Sequence, residues 1–221
     1  MASPLAVVTG GSGGVGRAVV EELRGRGYEV VSLSRTEGID VGDEAQVEAG
    51  FGRIDRLDAL VNNAATLIPR LLTEMTAAEW DEQVRVILRG TFLCSRAAFR
   101  RLRPGGTIVN VSSLSGVFGA EKFPRMSAYV AAKSGLAGLT EALAVEGRPL
   151  GIRVNAVSPG SVDTTMADLA GVTGPRLQPV EVARIVAWLA GPDSAPLSGA
   201  NLRLEPGLTR RGRRGGSDQA G

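Results

Sequence analysis

The chain has 221 residues, 43% of them hydrophobic and 22% charged, with a formal net charge of +2. That composition suits one large globular domain and gives the chain as a whole no strong pull on nucleic acid. Histidine is absent and cysteine occurs once, as Cys94, which excludes Ser-His-Asp and Cys-His nucleophile systems, histidine-held metals, internal disulfides and multi-cysteine zinc sites.

Leu5-Ala-Val-Val-Thr9 is an apolar run fit for a buried parallel strand. The glycine-rich turn Gly10-Gly-Ser12-Gly13-Gly14-Val15-Gly16 follows, and then a segment of helical spacing to Arg24. Strand, glycine turn and helix together make the context of a phosphate-binding loop: backbone amides approach a pyrophosphate where Cβ atoms are missing, and the helix N-terminus adds positive potential. A second strand, Tyr28 to Ser34, ends in Ser34-Arg35, where dinucleotide folds meet the adenosine ribose. An acid there would hold a 2′-hydroxyl and an arginine a 2′-phosphate, so Arg35 favours NADP(H) over NAD(H).

Thr36 to Val41 is too short for a parallel crossover, so a loop or irregular strand is expected there. Glu44 to Phe51 reads as a short helix, and Leu57 to Asn62 as a buried strand ending in Asn62-Asn63-Ala64-Ala65. Thr76-Ala-Ala-Glu79 is a capping box opening a long helix that Pro104-Gly-Gly is expected to end. Cys94 falls on this helix as a small buried hydrophobe. Thr107 to Ser113 is a strand, Ser115 to Met126 a loop, Ser127 to Glu146 a helix, and Ile152 to Val157 a strand running into Pro159-Gly160. Pro179 to Ala190 is a helix with Val182, Ile185, Val186 and Leu189 on one face, and Ala200 to Leu204 a last strand. The alternation predicts an α/β fold, a single doubly wound parallel sheet with helices on both faces, spanning residues 1–207. Residues 208–221, with four arginines among glycines, read as a basic disordered tail. No apolar run is long enough to cross a membrane and the first residues lack a signal-peptide pattern, so a cytoplasmic location is expected.

Tyr129 and Lys133 stand four residues apart in the 127–146 helix and leave the same face. An ammonium beside a phenol favours the phenolate, which predicts a lowered tyrosine pKa suited to proton transfer.

The glycine loop, Asn62-Asn63-Ala64-Ala65, Ser113, Tyr129-x-x-x-Lys133 and Pro159-Gly160 with Thr164 occur in the order of the short-chain dehydrogenases/reductases. The chain resembles the 3-oxoacyl-reductase-like branch of that family over residues 5–207. The resemblance implies a Rossmann-like oxidoreductase that interconverts a carbonyl and an alcohol, the substrate being a small or carrier-bound ketone. It implies that Ser113, Tyr129 and Lys133 are catalytic, with Tyr129 the general acid/base, Ser113 orienting the substrate oxygen and Lys133 on the nicotinamide ribose. Gly10, Ser12, Gly13, Gly14, Val15 and Gly16 would hold the pyrophosphate, Ser34 and Arg35 the adenosine ribose, and Asp40 and Val41 the adenine. Asn63, Ala64 and Ala65 would lie along the cofactor, and Pro159, Gly160, Val162 and Thr164 near its carboxamide and pyrophosphate. Family members pair through their two long helices, which implies a homodimer or homotetramer.

The sequence departs from the family in four places. Ile87 replaces the usual asparagine of the central helix and cannot bind the water that relays protons to the lysine. This opens an alternative: a dinucleotide-binding sensor or scaffold, or a dehydratase or cyclase, without net redox chemistry. The Ser113–Tyr129 spacing is longer than usual, which predicts an enlarged flap around Glu121 to Arg125. The stretch from Ser161 to Gln178 is short for a substrate lid and predicts an open pocket. Leu204-Glu-Pro-Gly207 replaces the common terminal Val-Asp-Gly-Gly.

Overall fold

The computed structural model describes residues 3–207. The tail expected at 208–221 lies outside the described residues. Six parallel strands form one sheet in the order β2-β1-β3-β4-β5-β6: β1 Leu5–Thr9, β2 Glu29–Leu33, β3 Leu57–Asn62, β4 Leu102–Val111, β5 Arg153–Pro159 and β6 Asn201–Leu204. Successive strand residues face opposite sides. Ala6, Val8, Val61, Val109 and Val157 pack with Val19, Val20 and Leu23 of α1 (Gly14–Gly25) and with Val182, Val186 and Leu189 of α7 (Pro179–Ala190). Val7, Leu60, Ile108 and Val154 pack on the other side with Phe51 of α2 (Glu44–Phe51), Leu93 of α4 (Gly90–Phe99) and Ala144 of α5 (Ser127–Gly147). This is the Rossmann-like doubly wound architecture. The chain leaves β1 in opposite directions to reach β2 and β3, which opens a crevice at their carboxyl ends.

Thr36 to Val41 forms no strand. Arg35–Glu37 make a 3-10 turn closed by Gly38 at φ 78°, and a loop leads on to α2. The expected long helix from Thr76 is interrupted. The capping box at Thr76 and Glu79 opens α3 (Ala77–Val84), a π-helical turn occupies Arg85–Arg89, and α4 ends at Phe99. Pro104-Gly-Gly is therefore not the helix stop that the sequence predicts. Those residues belong to β4, whose register on β3 jumps from Leu57↔Leu102 to Ala59↔Thr107. The proline, which has no N–H for a ladder, sits in that bulge, and Gly105 provides its φ of 88°. Upstream, the Arg101 side chain ends the helix by donating to Ala97 O at 2.8 Å and Ile54 O at 2.9 Å. Cys94 is fully buried and burial pushes its thiol up to about 12, which fits an inert packing residue. A further short helix, α6 (Thr165–Ala170), lies in the stretch expected to form a short lid.

Candidate active site

A cavity of about 750 Å³ runs along the carboxyl ends of the strands. Its floor is the glycine loop between β1 and α1. Gly10 and Gly14 take φ of 65° and 51°, a region closed to most side chains. A Cβ on Gly16 would stand 2.0 Å from Gly10 O, so only glycine lets α1 begin against the loop. The first turn of α1 carries no acidic residue to oppose an anion at its positive end. Thr9 Oγ1 accepts from the amides of Asn63 at 2.9 Å and Ala64 at 3.0 Å, while Asn63 Nδ2 donates to Thr9 O and Gly10 O. The Asn63 side chain thus ties the ends of β1 and β3 together, a structural duty beside its place on the cavity wall.

The sequence-expected residues gather here. Gly10, Ser12, Gly13, Gly14, Val15, Ser34, Arg35, Asp40, Val41, Asn63, Ala64, Ala65, Ser113, Tyr129, Lys133, Pro159, Gly160, Val162 and Thr164 all line the cavity. Gly16 does not, because it lies beneath the loop in contact with Gly10 and Asn63.

Lys133 and Tyr129 leave one face of α5, and both are buried. The 3-10 turn Leu114–Gly116 seats α5, since a Cβ on Gly116 would come 2.6 Å from Lys133 O. Ser112 Oγ donates to the same carbonyl at 3.0 Å. Lys133 Nζ donates to Val111 O at 2.6 Å and lies 5.7 Å from the Tyr129 ring centre. Burial pulls the lysine down to about 7 and pushes the tyrosine up to about 12, with the Ser113 hydroxyl acting as a donor in the opposite, lowering direction. The lowered phenol expected from the Tyr-Lys spacing is therefore corrected: desolvation of the buried phenol outweighs the Ser113 hydrogen bond, and the buried ammonium is turned to a carbonyl. A phenol held protonated is the form that can donate to a carbonyl oxygen.

At the ribose end, Asp40 accepts from Gly42 N at 2.8 Å and pairs with Arg85 at 2.8 Å. The Arg85 hydrogen bond is the main reason its carboxyl lies below the usual range. Sequence reasoning missed Glu37. The 3-10 turn folds its carboxylate back over β2, where it accepts from the Ser34 and Ser32 hydroxyls, the latter at 3.1 Å. Gly38, which ends that turn, is the signal that could have exposed it. Where the family carries asparagine, Ile87 is fully buried in the π-helical turn and packs with Leu67, Met126, Tyr129, Ala132 and Leu136. The carbonyl of Ile87 accepts from Thr91 Oγ1 at 2.7 Å. The expected flap is present, with Ala120, Glu121, Phe123 and Met126 lining the cavity in front of α5.

A family model described as enoyl-(acyl carrier protein) reductase matches residues 34–209. The chain belongs to the short-chain dehydrogenase/reductase family. It is an oxidoreductase of the 3-oxoacyl-reductase-like branch. Among its relatives is the 3-oxoacyl-(acyl-carrier-protein) reductase of Vibrio harveyi, 32% identical, with 92% of this chain and 96% of the relative aligned. A cis-4-hydroxycyclohexanecarboxylate dehydrogenase of Sinomonas cyclohexanicum is 35% identical over 94% of this chain and 97% of the relative. A crystallised short-chain dehydrogenase of Burkholderia cenocepacia, in complex with NADP, superposes with a TM-score of 0.83 at 30% identity, covering 91% of this chain and 96% of that one. No helix among the described residues is long and apolar enough to cross a membrane.

Proposed function

We propose that the protein is an NADP(H)-dependent reductase or dehydrogenase acting on a ketone and its alcohol, with Tyr129 as the proton donor to the carbonyl oxygen. The observation that carries this reading is the meeting of Tyr129, Ser113 and Lys133 in the cavity whose floor is the glycine loop. That floor fits a dinucleotide: Gly10, Ser12, Gly13, Gly14 and Val15 line the cavity, a Cβ on Gly13 would meet nothing within 4 Å, and Gly16 lets the helix start close beneath them. When bound, the nicotinamide supplies hydride to the carbonyl carbon.

The remaining chemistry belongs to this chain. Tyr129 offers its phenolic proton where negative charge builds on the substrate oxygen, and Ser113 Oγ offers a second donor to that oxygen. Lys133 would hold the ribose hydroxyls in place of Val111 O, and its ammonium would stabilise the phenolate left once the proton has gone to the substrate. The apolar cluster of Leu67, Met126 and Ile87 around Tyr129 excludes water from the reacting oxygen.

The NADP preference rests on Arg35 at the end of β2 and on the relative crystallised with NADP. The names of the relatives span carrier-bound 3-oxoacyl groups and ring alcohols, and both are carbonyl/alcohol pairs. The non-redox alternative has only Ile87 to recommend it and is not favoured. The test is NADPH oxidation by the purified protein with ketones and 3-oxoacyl thioesters. Tyr129→Phe is expected to lower kcat by roughly a hundredfold or more, the scale of a lost general acid. Full activity in that variant would remove Tyr129 from the role.

A further inference from the structure

The two ends of the cavity differ in chemistry. Arg35 follows the end of β2, whereas Tyr129 and Lys133 face β4, three strand spacings or about 14 Å away across the sheet. Leu67, Met126 and Met166 pack in one apolar cluster with Tyr129, and Leu114, Phe123 and Val172 add apolar wall to the cavity beside the Ser113 hydroxyl. Among the described residues, the only charged one lining the cavity besides Arg35, Asp40 and Lys133 is Glu121, on the flap.

The cations on the segments bordering this end are all engaged elsewhere. Lys122 Nζ donates to Val117 O at 2.6 Å and Arg125 to Pro69 O at 3.2 Å. Arg70 pairs with Glu79 at 3.1 Å, and Arg176 with Asp168 at 2.7 Å and Asp163 at 3.4 Å. None of the four lines the cavity. Lys133 is buried and, on the reductase reading, taken by the ribose hydroxyls. Among the described residues, a carboxylate entering this end therefore meets one lining like charge, Glu121, and no lining cation besides Lys133.

We propose that the substrate presents a neutral, apolar body to this end of the cavity, and that Glu121 excludes ketones bearing a carboxylate there. The inference rests on the reductase reading and narrows it to neutral ketones, including esters and thioesters. Burial of a hydrocarbon body supplies the binding, while an uncompensated carboxylate would lose its hydration with nothing in return.

The experiment compares kcat/KM, with NADPH, for two matched pairs that differ only in charge: methyl 4-oxocyclohexanecarboxylate against its free acid, and methyl 4-acetylbenzoate against its free acid. The esters are expected to be favoured roughly tenfold or more, the scale of a like-charge contact near a protein surface. Glu121→Gln is expected to narrow both ratios by raising the rate on the acids. Acids reduced as well as or better than their esters would overturn the inference and leave the reductase reading intact. Unchanged ratios in Glu121→Gln would remove Glu121 from the discrimination. Absence of hydride transfer to all four compounds would overturn the reductase reading and this inference with it.

Discussion

At the scale of single residues, burial governs the chemistry. Lys133 is protonated below about 7 in the folded chain, against 10.5 for an ordinary lysine, so between these values the unfolded chain binds the extra proton. Stability must then rise with pH across that window. Tyr129 works against this from pH 10 upward, because its folded value of about 12 lies above the ordinary one. The melting temperature of the ligand-free protein is expected to climb between pH 7 and 9.5 and to flatten in Lys133→Met. Equal slopes in both proteins would contradict the burial reading. The proposed choice of cofactor is tested at the same scale. Glu37 takes the Ser34 hydroxyl that a 2′-phosphate would use, beside the arginine that would bind that phosphate. Arg35→Ala is expected to weaken NADPH binding at least tenfold and NADH binding little. Glu37→Gln is expected to strengthen NADPH several-fold, read by fluorescence titration, on the scale of one charge contact. Equal shifts for the two cofactors in either variant would refute this arrangement.

At the scale of elements, the parts that were legible in the sequence are those fixed by neighbours in the chain. The buried strands read as apolar runs, Thr76 and Glu79 made their capping box, and the loop after Arg35 followed from a crossover too short for a strand. Contacts between distant segments hid the rest. The π-helical turn at Arg85–Arg89 keeps the apolar stripe of the helix continuous, so periodicity does not expose it. Pro104 reads as a helix stop until β3 is seen to hold it in a bulge. Ser113, Tyr129 and Lys133 were legible because each sits at a strand end or on one helix face, but their protonation was not, because burial belongs to the folded chain. The glycines of α1 give a matched test. Gly16→Ala would drive a Cβ to 2.0 Å from Gly10 O, whereas Gly25 has open space at that position. Gly16→Ala is expected to cost about 1–3 kcal/mol and to abolish dinucleotide binding. Gly25→Ala is expected to be neutral or stabilising by up to about 1 kcal/mol. Thermal melts with and without NADPH separate the two.

At the scale of the whole molecule, the helix that carries Tyr129 and Lys133 also borders an apolar groove. Val84, Leu88, Phe92, Leu139 and Ala142 line it between the α3–α4 segment and α5, with Gly135 and Gly138 at its base. Phe92 is 44% exposed there, while the opposite side of α4 packs Leu93 and Ala97 against the sheet. A second copy with the same helices would cover these exposed apolar side chains in an isologous contact. The pairing expected from the family resemblance would use this groove. Gly138 is its most informative residue, because a side chain added there meets nothing within 4 Å in the single chain. Gly138→Arg should fold with little more than the helix-propensity change, yet place a charge where a partner helix would pack. Light scattering is expected to report a dimer or tetramer for the native chain and a smaller species for Gly138→Arg, with its melting temperature falling by the part of stability that association supplies. Because α5 also carries Tyr129 and Lys133, the dissociated variant should lose turnover more than dinucleotide affinity. An undiminished mass for Gly138→Arg, or a native chain that runs as a monomer, would exclude this face as the contact.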